Sequence, residues 1–188
     1  MKKIIYPTLS VLFLAACSTE EEQKTVTPEE EIVTIDYLHL GDSLTNNAQS
    51  TLLSNVAGAI QSGGFAHAVD FCNTKATYLT DSLSKETYKI SRISEKNRNP
   101  NNAASASELS ILNSFSPEKM QSIVEEEGKT IYYKAIKIGM PTCLKCHGTS
   151  ETIDPEAAKM IKEKYPNDKA TGYSEGDLRG AWKIVFEH

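Results

Sequence analysis

Apolar residues recur every three to five positions along residues 32–60, which predicts one long helix with a single buried face. The Gly63-Gly64 pair ends that helix, and the apolar positions of residues 65–83 predict a second long helix. Cys72 lies on the apolar side of the second helix. The folded part of the chain is therefore predicted to begin with two long helices, ahead of any strand.

The periodicity changes to alternation at residues 87–93, which predicts a strand. The later elements are a turn at 97–102, a short helix at 105–115, a hairpin of 120–124 and 130–138 around the Glu-Glu-Gly turn that ends at Gly128, a helix at 156–164 and a closing strand at 180–186. Asp154 caps the helix at 156–164, and Pro155 occupies its first turn. Helices followed by a mainly antiparallel sheet predict a single α+β domain over residues 32–188.

The N-terminal segment has the form of an export signal, because Lys2 and Lys3 precede an apolar run over residues 4–16. The run is shorter than the about 20 residues that a membrane-spanning helix needs. It ends in the sequence LAAC at residues 14–17, which resembles the bacterial lipobox, where the chain is cut before the cysteine and the cysteine carries the lipid. We therefore predict a lipoprotein signal peptide at 1–16 and a lipid on Cys17. The alternative is an ordinary cleaved signal with an incidental cysteine.

Residues 17–31 are predicted to form an acidic, flexible tether that follows the lipidated cysteine. The segment is polar and has too few large apolar side chains to offset the entropy cost of ordering it. The whole chain of 188 residues has a formal charge of −5 and no cluster of cations, which argues against nucleic acid as a partner. The predicted location is the cell envelope, with the domain anchored to a membrane by its N-terminal lipid and facing the periplasm or the cell exterior.

Residues 143–147 read Cys-Leu-Lys-Cys-His, which is the C-x-x-C-H attachment motif of c-type haem. The spacing has a chemical reason: two thiols add to the two vinyl groups of one porphyrin, and the histidine that follows supplies an axial imidazole. Export supports this assignment, because covalent haem attachment takes place outside the cytoplasm. The motif predicts one covalent haem c, with Cys143 and Cys146 as attachment residues and His147 as an iron ligand.

Three other interpretations of the motif compete with haem. A zinc site needs four ligands, and a second Cys/His pair at zinc spacing is missing. A thioredoxin-type redox pair is expected in a βαβ context, which the predicted elements do not provide. A structural disulfide between Cys143 and Cys146 suits an oxidising compartment but leaves His147 unexplained.

The second axial ligand is left open by the residues alone. Met140 lies only three residues before Cys143, too close to fold back over the opposite face of a porphyrin. Cys72 and His67 are about equally good candidates for this ligand, because a lone inward cysteine is more often a small core residue. The full set of candidates is His39, His67, His188, Met120, Met140, Met160 and Cys72.

Several segments resemble the c-type haem proteins of PAS-like fold, which occur as exported stand-alone cytochromes and as extracytoplasmic sensor regions of bacterial signalling proteins. The matching segments are 68–72 (AVDFC), 92–94 (RIS), 98–103 (RNPNNA), 143–148 (CLKCHG), 165–173 (YPNDKATGY) and 176–181 (GDLRGA). The resemblance implies a PAS-like antiparallel sheet with flanking helices around one haem. It also implies that a cysteine from the second helix is the ligand opposite the histidine, and the matching position is Cys72.

Three arginines, Arg92, Arg98 and Arg179, are candidates for pairing with the haem propionates. The alternative is that they brace turns by bonding to backbone carbonyls, and the sequence leaves both open. Tyr173 is a weaker candidate, because a core tyrosine with a satisfied hydroxyl is commoner.

The predicted function is single-electron transfer by a lipid-anchored mono-haem c-type cytochrome that works with a redox partner protein. The first alternative is a haem-based sensor of redox state or of a diatomic gas, which signals through a separate partner. The second is a metal-binding or structural lipoprotein without haem. No pair of catalytic carboxylates stands out in the sequence, so we predict that the protein is not an enzyme.

Overall fold

One long helix and a four-stranded antiparallel sheet form the frame of the computed structural model, which describes residues 35–187. The helices are α1 (Tyr37–Thr74), α2 (Ala76–Asp81), α3 (Ala106–Asn113), α4 (Leu144–His147) and α5 (Pro155–Lys164). The strands are β1 (Tyr88–Ile93), β2 (Gln121–Glu126), β3 (Lys129–Lys137) and β4 (Leu178–Phe186). The predicted signal peptide (1–16), the lipidated Cys17, the tether (17–31) and His188 lie outside the described residues. Within residues 35–187, no helix combines the length and the apolar character needed to cross a membrane.

Helix α1 begins at a side-chain cap and bends at the glycine pair that the sequence marked as a boundary. The Asp36 carboxylate accepts a hydrogen bond from the backbone N–H of His39 at 3.1 Å, which satisfies one free donor of the first turn. The backbone leaves helical geometry at Gly63 and Gly64, and Gly64 has φ of +75°, a conformation that favours glycine. The predicted boundary between two helices is therefore present as a kink.

The second helix is shorter than the sequence pattern predicts. It was expected to continue to residue 83, but the helical geometry breaks at Lys75, whose φ and ψ are −124° and −30°. Asn73 and Thr74 precede the break, and both are weak helix formers. A short helix, α2, follows the break. The chain thus has one long kinked helix and one short helix, and the prediction of two long helices is corrected accordingly.

The sheet has the strand order β1-β4-β3-β2, and all three neighbouring pairs are antiparallel. The hairpin of β2 and β3 is closed by Glu127 and Gly128, which have φ of 53° and 75°. Two central residues with positive φ match the right-handed twist of paired strands, and this explains the Glu-Glu-Gly signal in the sequence. The prediction of a mixed α+β domain with an antiparallel sheet is confirmed at this level.

Three apolar clusters hold the helices against the sheet and against each other. The first joins α1 to one face of the sheet and contains Ala48, Ile90, Tyr132, Trp182, Ile184 and Phe186. The second joins α3 to the other face and contains Ile93, Leu112, Ile131, Tyr133 and Ala181. The third joins the end of α1 to α5 and contains Val69, Ala157, Ile161 and Tyr165. Together they fix the position of Cys72, because α1 is anchored on both sides of its kink.

Gly41 offers a test of the contact between α1 and the sheet. A Cβ at this position would overlap the ring of the buried Tyr132, so Gly41→Ala is expected to lower the free energy of unfolding by about 1–3 kcal/mol, the usual cost of overpacking. Gly58→Ala on the same helix meets open space and is the matched control. It should raise the free energy of unfolding by about 0.5–1 kcal/mol through helix propensity. Denaturant unfolding followed by circular dichroism measures both, and equal stabilisation by the two variants would contradict the packing described here.

Candidate functional site

A cavity of about 490 Å³ lies between α1, the sheet and the segment that carries the C-x-x-C-H motif. One wall is an apolar stripe of α1 made of Leu52, Val56 and Ile60, which are spaced four residues apart. The facing wall includes Ile138 and Trp182, both buried. The volume falls within the range of about 300–1,000 Å³ that is typical of ligand and cofactor sites.

Four residues that the sequence singled out line this one cavity. Cys72 reaches it from the part of α1 beyond the kink, while Cys143, Cys146 and His147 reach it from the motif segment. About seventy positions of sequence separate the two groups, and the packing of α1 against α5 brings them together. All three cysteines of residues 35–187 are free thiols in the structure.

The motif segment is a short helical stretch whose C-terminal part is held to other segments by hydrogen bonds. A 3-10 turn at Pro141–Cys143 leads directly into α4. The spacing of three residues places Cys143 and Cys146 on one side of this stretch, which is the arrangement that two bonds to one porphyrin need. The carbonyl of His147 accepts a hydrogen bond from the backbone N–H of Tyr173 at 3.0 Å, so the segment 165–173 fixes the end of the motif.

His147 is oriented for binding a metal through one defined nitrogen. Its Nδ1 lies 2.8 Å from the carbonyl oxygen of Ala170, and a carbonyl oxygen only accepts, so Nδ1 carries the proton and Nε2 keeps a free lone pair. The ring of Tyr173 meets the imidazole edge-on, with 6.3 Å between the ring centres. Burial, followed by the nearby guanidinium groups of Arg179 and Arg98, holds the pKa of His147 well below its ordinary value. The side chain is therefore a neutral imidazole, the form in which histidine binds metals.

Two of the cavity thiols, Cys72 and Cys146, are neutral in the protein alone. Burial raises the pKa of the Cys72 thiol, although Arg92 and Arg98 act in the opposite direction. Burial also raises the pKa of Cys146 to about 11. A thiolate at either position therefore needs a stabilising partner, such as a bound metal ion, because the thiolate is the form that binds metals.

Arg98 braces the motif, which answers one of the questions left open by the sequence. Its Nε donates to the Asp168 carboxylate at 2.9 Å, and its Nη2 donates to the carbonyl of Cys146 at 2.7 Å and to that of Ala170 at 3.3 Å. The side chains of Arg98 and Asp168 are only 9% and 8% exposed. One guanidinium thus ties together the RNPNN turn, the motif and the segment that orients His147.

Arg179 also donates hydrogen bonds within the protein, whereas Arg92 donates none within the described part of the chain. The Nη1 of Arg179 donates to the Ser94 hydroxyl at 2.7 Å and to the carbonyl of Lys96 at 3.0 Å. Within residues 35–187, Arg92 has no hydrogen bond or ion pair to a protein acceptor, and its guanidinium carbon lies 5.7 Å from the centre of the Trp182 ring. Both arginines line the cavity. Arg98 and Arg179 therefore brace the backbone, and Arg92 is left facing the cavity.

The structure also shows which candidates for a second axial ligand lie at the cavity. Cys72 and Met140 line the cavity, and Met140 is 46% exposed at its edge. His39 and His67 are exposed and do not line it. Met160 packs against the cluster of α1 and α5. Of the two candidates that the residues alone left level, only Cys72 is placed at the cavity.

Two functional features could not be predicted from the sequence. Asp168 is the partner of Arg98 but lies 70 positions away, and no local pattern connects them. The carbonyl of Ala170, which orients His147, is a backbone group and leaves no mark in the side-chain sequence. The only available signal was that both positions lie in the segment 165–173 quoted for the family resemblance. Within residues 35–187, the structure contains no group of three or more His, Cys, Asp and Glu side chains placed to hold a metal ion.

Asp168→Ala tests the brace. The variant leaves the buried Arg98 guanidinium without its carboxylate, and breaking a buried pair in this way costs about 3–5 kcal/mol. The matched control is Asp70→Ala, which removes a pair with Lys164 that is 3.4 Å long and has side chains 40% and 34% exposed. That change should cost no more than about 1 kcal/mol. Denaturant unfolding compares the two variants, and a loss in Asp168→Ala as small as that of the control is the result that contradicts the brace.

The comparisons with known proteins agree with this architecture. No curated protein sequence matches the chain. One solved structure, described as the crystal structure of the cyanobacterial haem protein Tll0287, matches with a TM-score of 0.59 and 20% sequence identity, over 82% of this chain and 97% of that one. This likeness shows a shared fold. The model of the Tll0287-like family matches residues 14–186, nearly the whole sequence, and the chain therefore belongs to the Tll0287-like family.

Proposed function

We propose that the protein is a lipid-anchored mono-haem c-type cytochrome that transfers single electrons in the cell envelope. In this proposal Cys143 and Cys146 would hold one haem covalently, and His147 and Cys72 would bind its iron. The observation that carries the proposal is the meeting of a C-x-x-C-H motif and a distant cysteine in one apolar cavity. Membership of a family with a haem protein among its relatives supports it further.

The residues around the cavity suit a haem. Its long walls are apolar, as a porphyrin face requires, and its polar groups are the thiols, the imidazole, the arginines, Lys137 and a few amides and hydroxyls. His147 offers an Nε2 lone pair, and the carbonyl of Ala170 sets its tautomer. When bound, the haem iron supplies one-electron chemistry between its ferric and ferrous forms, with a potential set by the axial ligands.

The chain contributes anchoring, orientation and exclusion of water. The thiols of Cys143 and Cys146 would fix the haem covalently. Arg98 donates to the carbonyls of Cys146 and Ala170, so it ties the motif to the segment that orients His147. The stripe of Leu52, Val56 and Ile60 keeps the site apolar. Two side-chain ligands would leave the iron without a vacant position, which supports electron transfer and argues against an enzyme.

The proposal also covers the type of fold, the membrane anchor and the partner proteins. We assign the antiparallel sheet with its flanking helices to the PAS-like type, as the family resemblance implies. The lipid is placed on Cys17, the domain faces the periplasm or the cell exterior, and the electron donor and acceptor are separate proteins.

One observation favours a second candidate function, a sensor of redox state or of a diatomic gas. Cys72 lies on α1, beyond its Gly64 kink, whereas His147 and the two attachment cysteines belong to the motif segment. Departure of its sulfur from iron would therefore leave the motif segment in place and open one position for a gas. The output would pass through a separate signalling partner.

Two measurements on protein made with the cytochrome c maturation machinery test these functions in turn. The pyridine haemochrome spectrum should show an α-band for covalently bound haem, and its absence would leave the metal-binding or structural lipoprotein as the surviving alternative. A redox titration with and without CO and NO then separates an electron carrier from a gas sensor. A carrier exchanges electrons reversibly and binds neither gas, whereas a gas-sensing protein binds at least one of them when reduced.

A further inference from the structure

The three arginines of the cavity differ in what they contact. Arg98 donates to a carboxylate and two carbonyls, and Arg179 donates to a hydroxyl and a carbonyl. Arg92 makes no such contact with any acceptor in residues 35–187, although its guanidinium carries five N–H donors. It is the one cavity arginine whose donors remain available in the described part of the protein.

Arg92 is held in place by the sheet. It lies on β1 directly opposite Trp182 of β4, and its guanidinium carbon stays within 5.7 Å of the indole ring centre. Burial lowers the pKa of the guanidinium below its ordinary value. A buried cation without a hydrogen-bonded acceptor is unfavourable, so its position indicates an anionic hydrogen-bonding partner that residues 35–187 do not provide.

We propose that Arg92 is a carboxylate-binding residue of the cavity and that it holds a propionate of the haem. The inference rests on the proposed function, because haem is the occupant that brings carboxylates into this cavity. A planar guanidinium binds a carboxylate through two parallel hydrogen bonds, a geometry that lysine cannot reproduce. Arg92 would thus fix the orientation of the porphyrin edge, and it acts as a positioning residue.

A rival role for Arg92 is stabilisation of the Cys72 thiolate, because Cys72 is the acidic group that interacts most strongly with it. The other acidic groups near it are Tyr165 and Asp81. The two roles predict different spectra. Loss of a propionate contact changes the propionate vibrations and leaves the axial ligands alone, whereas loss of thiolate stabilisation changes the axial ligand signature.

The experiment compares the haem-loaded wild type with Arg92→Met and Arg92→Lys. Resonance Raman spectra report the propionate bending bands, and electron paramagnetic resonance of the ferric state reports the axial ligands. We expect a shift of the propionate bands in Arg92→Met, a smaller shift in Arg92→Lys and unchanged axial signals in both. Lys89→Met, an exposed change on the same strand outside the cavity, is the matched control and should shift nothing.

The outcomes separate this inference from the proposed function. Wild-type protein without haem overturns both. Haem-loaded Arg92→Met with unshifted propionate bands overturns the inference alone, and so does a change of the axial signals without a propionate shift. If Arg92→Met does not fold by circular dichroism, Arg92→Lys carries the test, because it keeps the charge but not the paired hydrogen bonds.

Discussion

The double variant Cys143→Ala/Cys146→Ala is expected to contain no covalently bound haem. Both thiols line the cavity from one short helical stretch, and they are the attachment groups of the proposed function. Without them the protein can hold haem only through axial ligands and apolar contacts, so the group is lost on denaturation. Haem staining after denaturing electrophoresis measures this loss directly, and mass spectrometry of the intact chain shows whether the mass increment of one haem is present.

The matched control for this prediction is Lys145→Ala, which lies within the same motif but has an exposed side chain. It should retain covalent haem at the wild-type level. Each single cysteine variant should keep one thioether bond, and the α-band of its haemochrome should shift because one vinyl group remains unreacted. Haem that stays on the denatured double variant would show that the attachment residues have been assigned wrongly.

The order and type of most elements could be predicted because their signals are local. The hairpin follows from alternation on both sides of a Glu-Glu-Gly turn, and helix α5 follows from Asp154, whose carboxylate accepts hydrogen bonds from the N–H groups of Glu156 and Ala157. The end of α1 was placed too late. The apolar spacing continues past Lys75, but the helical backbone breaks there. Periodicity alone does not reveal such a break, because the apolar positions keep the same spacing on both sides of it.

The site was predicted in its chemistry but not in its shape. The C-x-x-C-H motif is contiguous, so its spacing alone identifies the chemistry. The stripe of Leu52, Val56 and Ile60 has the spacing of any core-facing helix, and the sequence contains no sign that it faces a cavity instead of side chains. Whether an arginine braces backbone or faces the cavity depends on contacts between segments 70 to 85 positions apart, such as Arg98 with Asp168 and Arg179 with Ser94.

Replacement of Cys72 is expected to produce the largest change in the properties of the iron. A thiolate is an anionic, strongly donating ligand that stabilises ferric iron, so Cys72→Ala should raise the reduction potential. Axial ligands span a range of about 0.8 V in haem proteins, and we expect a rise on the order of 0.1 V or more. The open position should also allow the reduced variant to bind CO. Redox titration, electron paramagnetic resonance and CO difference spectra measure these three effects.

His67→Ala is the matched control for Cys72→Ala, because the two residues lie five positions apart on the same helix and were level as ligand candidates from the sequence. The structure places the Cys72 side chain at the cavity and leaves His67 exposed away from it. His67→Ala should therefore keep the wild-type potential and the wild-type ferric spectrum. The reverse result, with unchanged spectra in Cys72→Ala and altered spectra in His67→Ala, would mean that α1 presents a different face to the iron from the one described here. If neither variant changes the spectra, the next residue to test is Met140, the other candidate at the cavity, with the variant Met140→Ala.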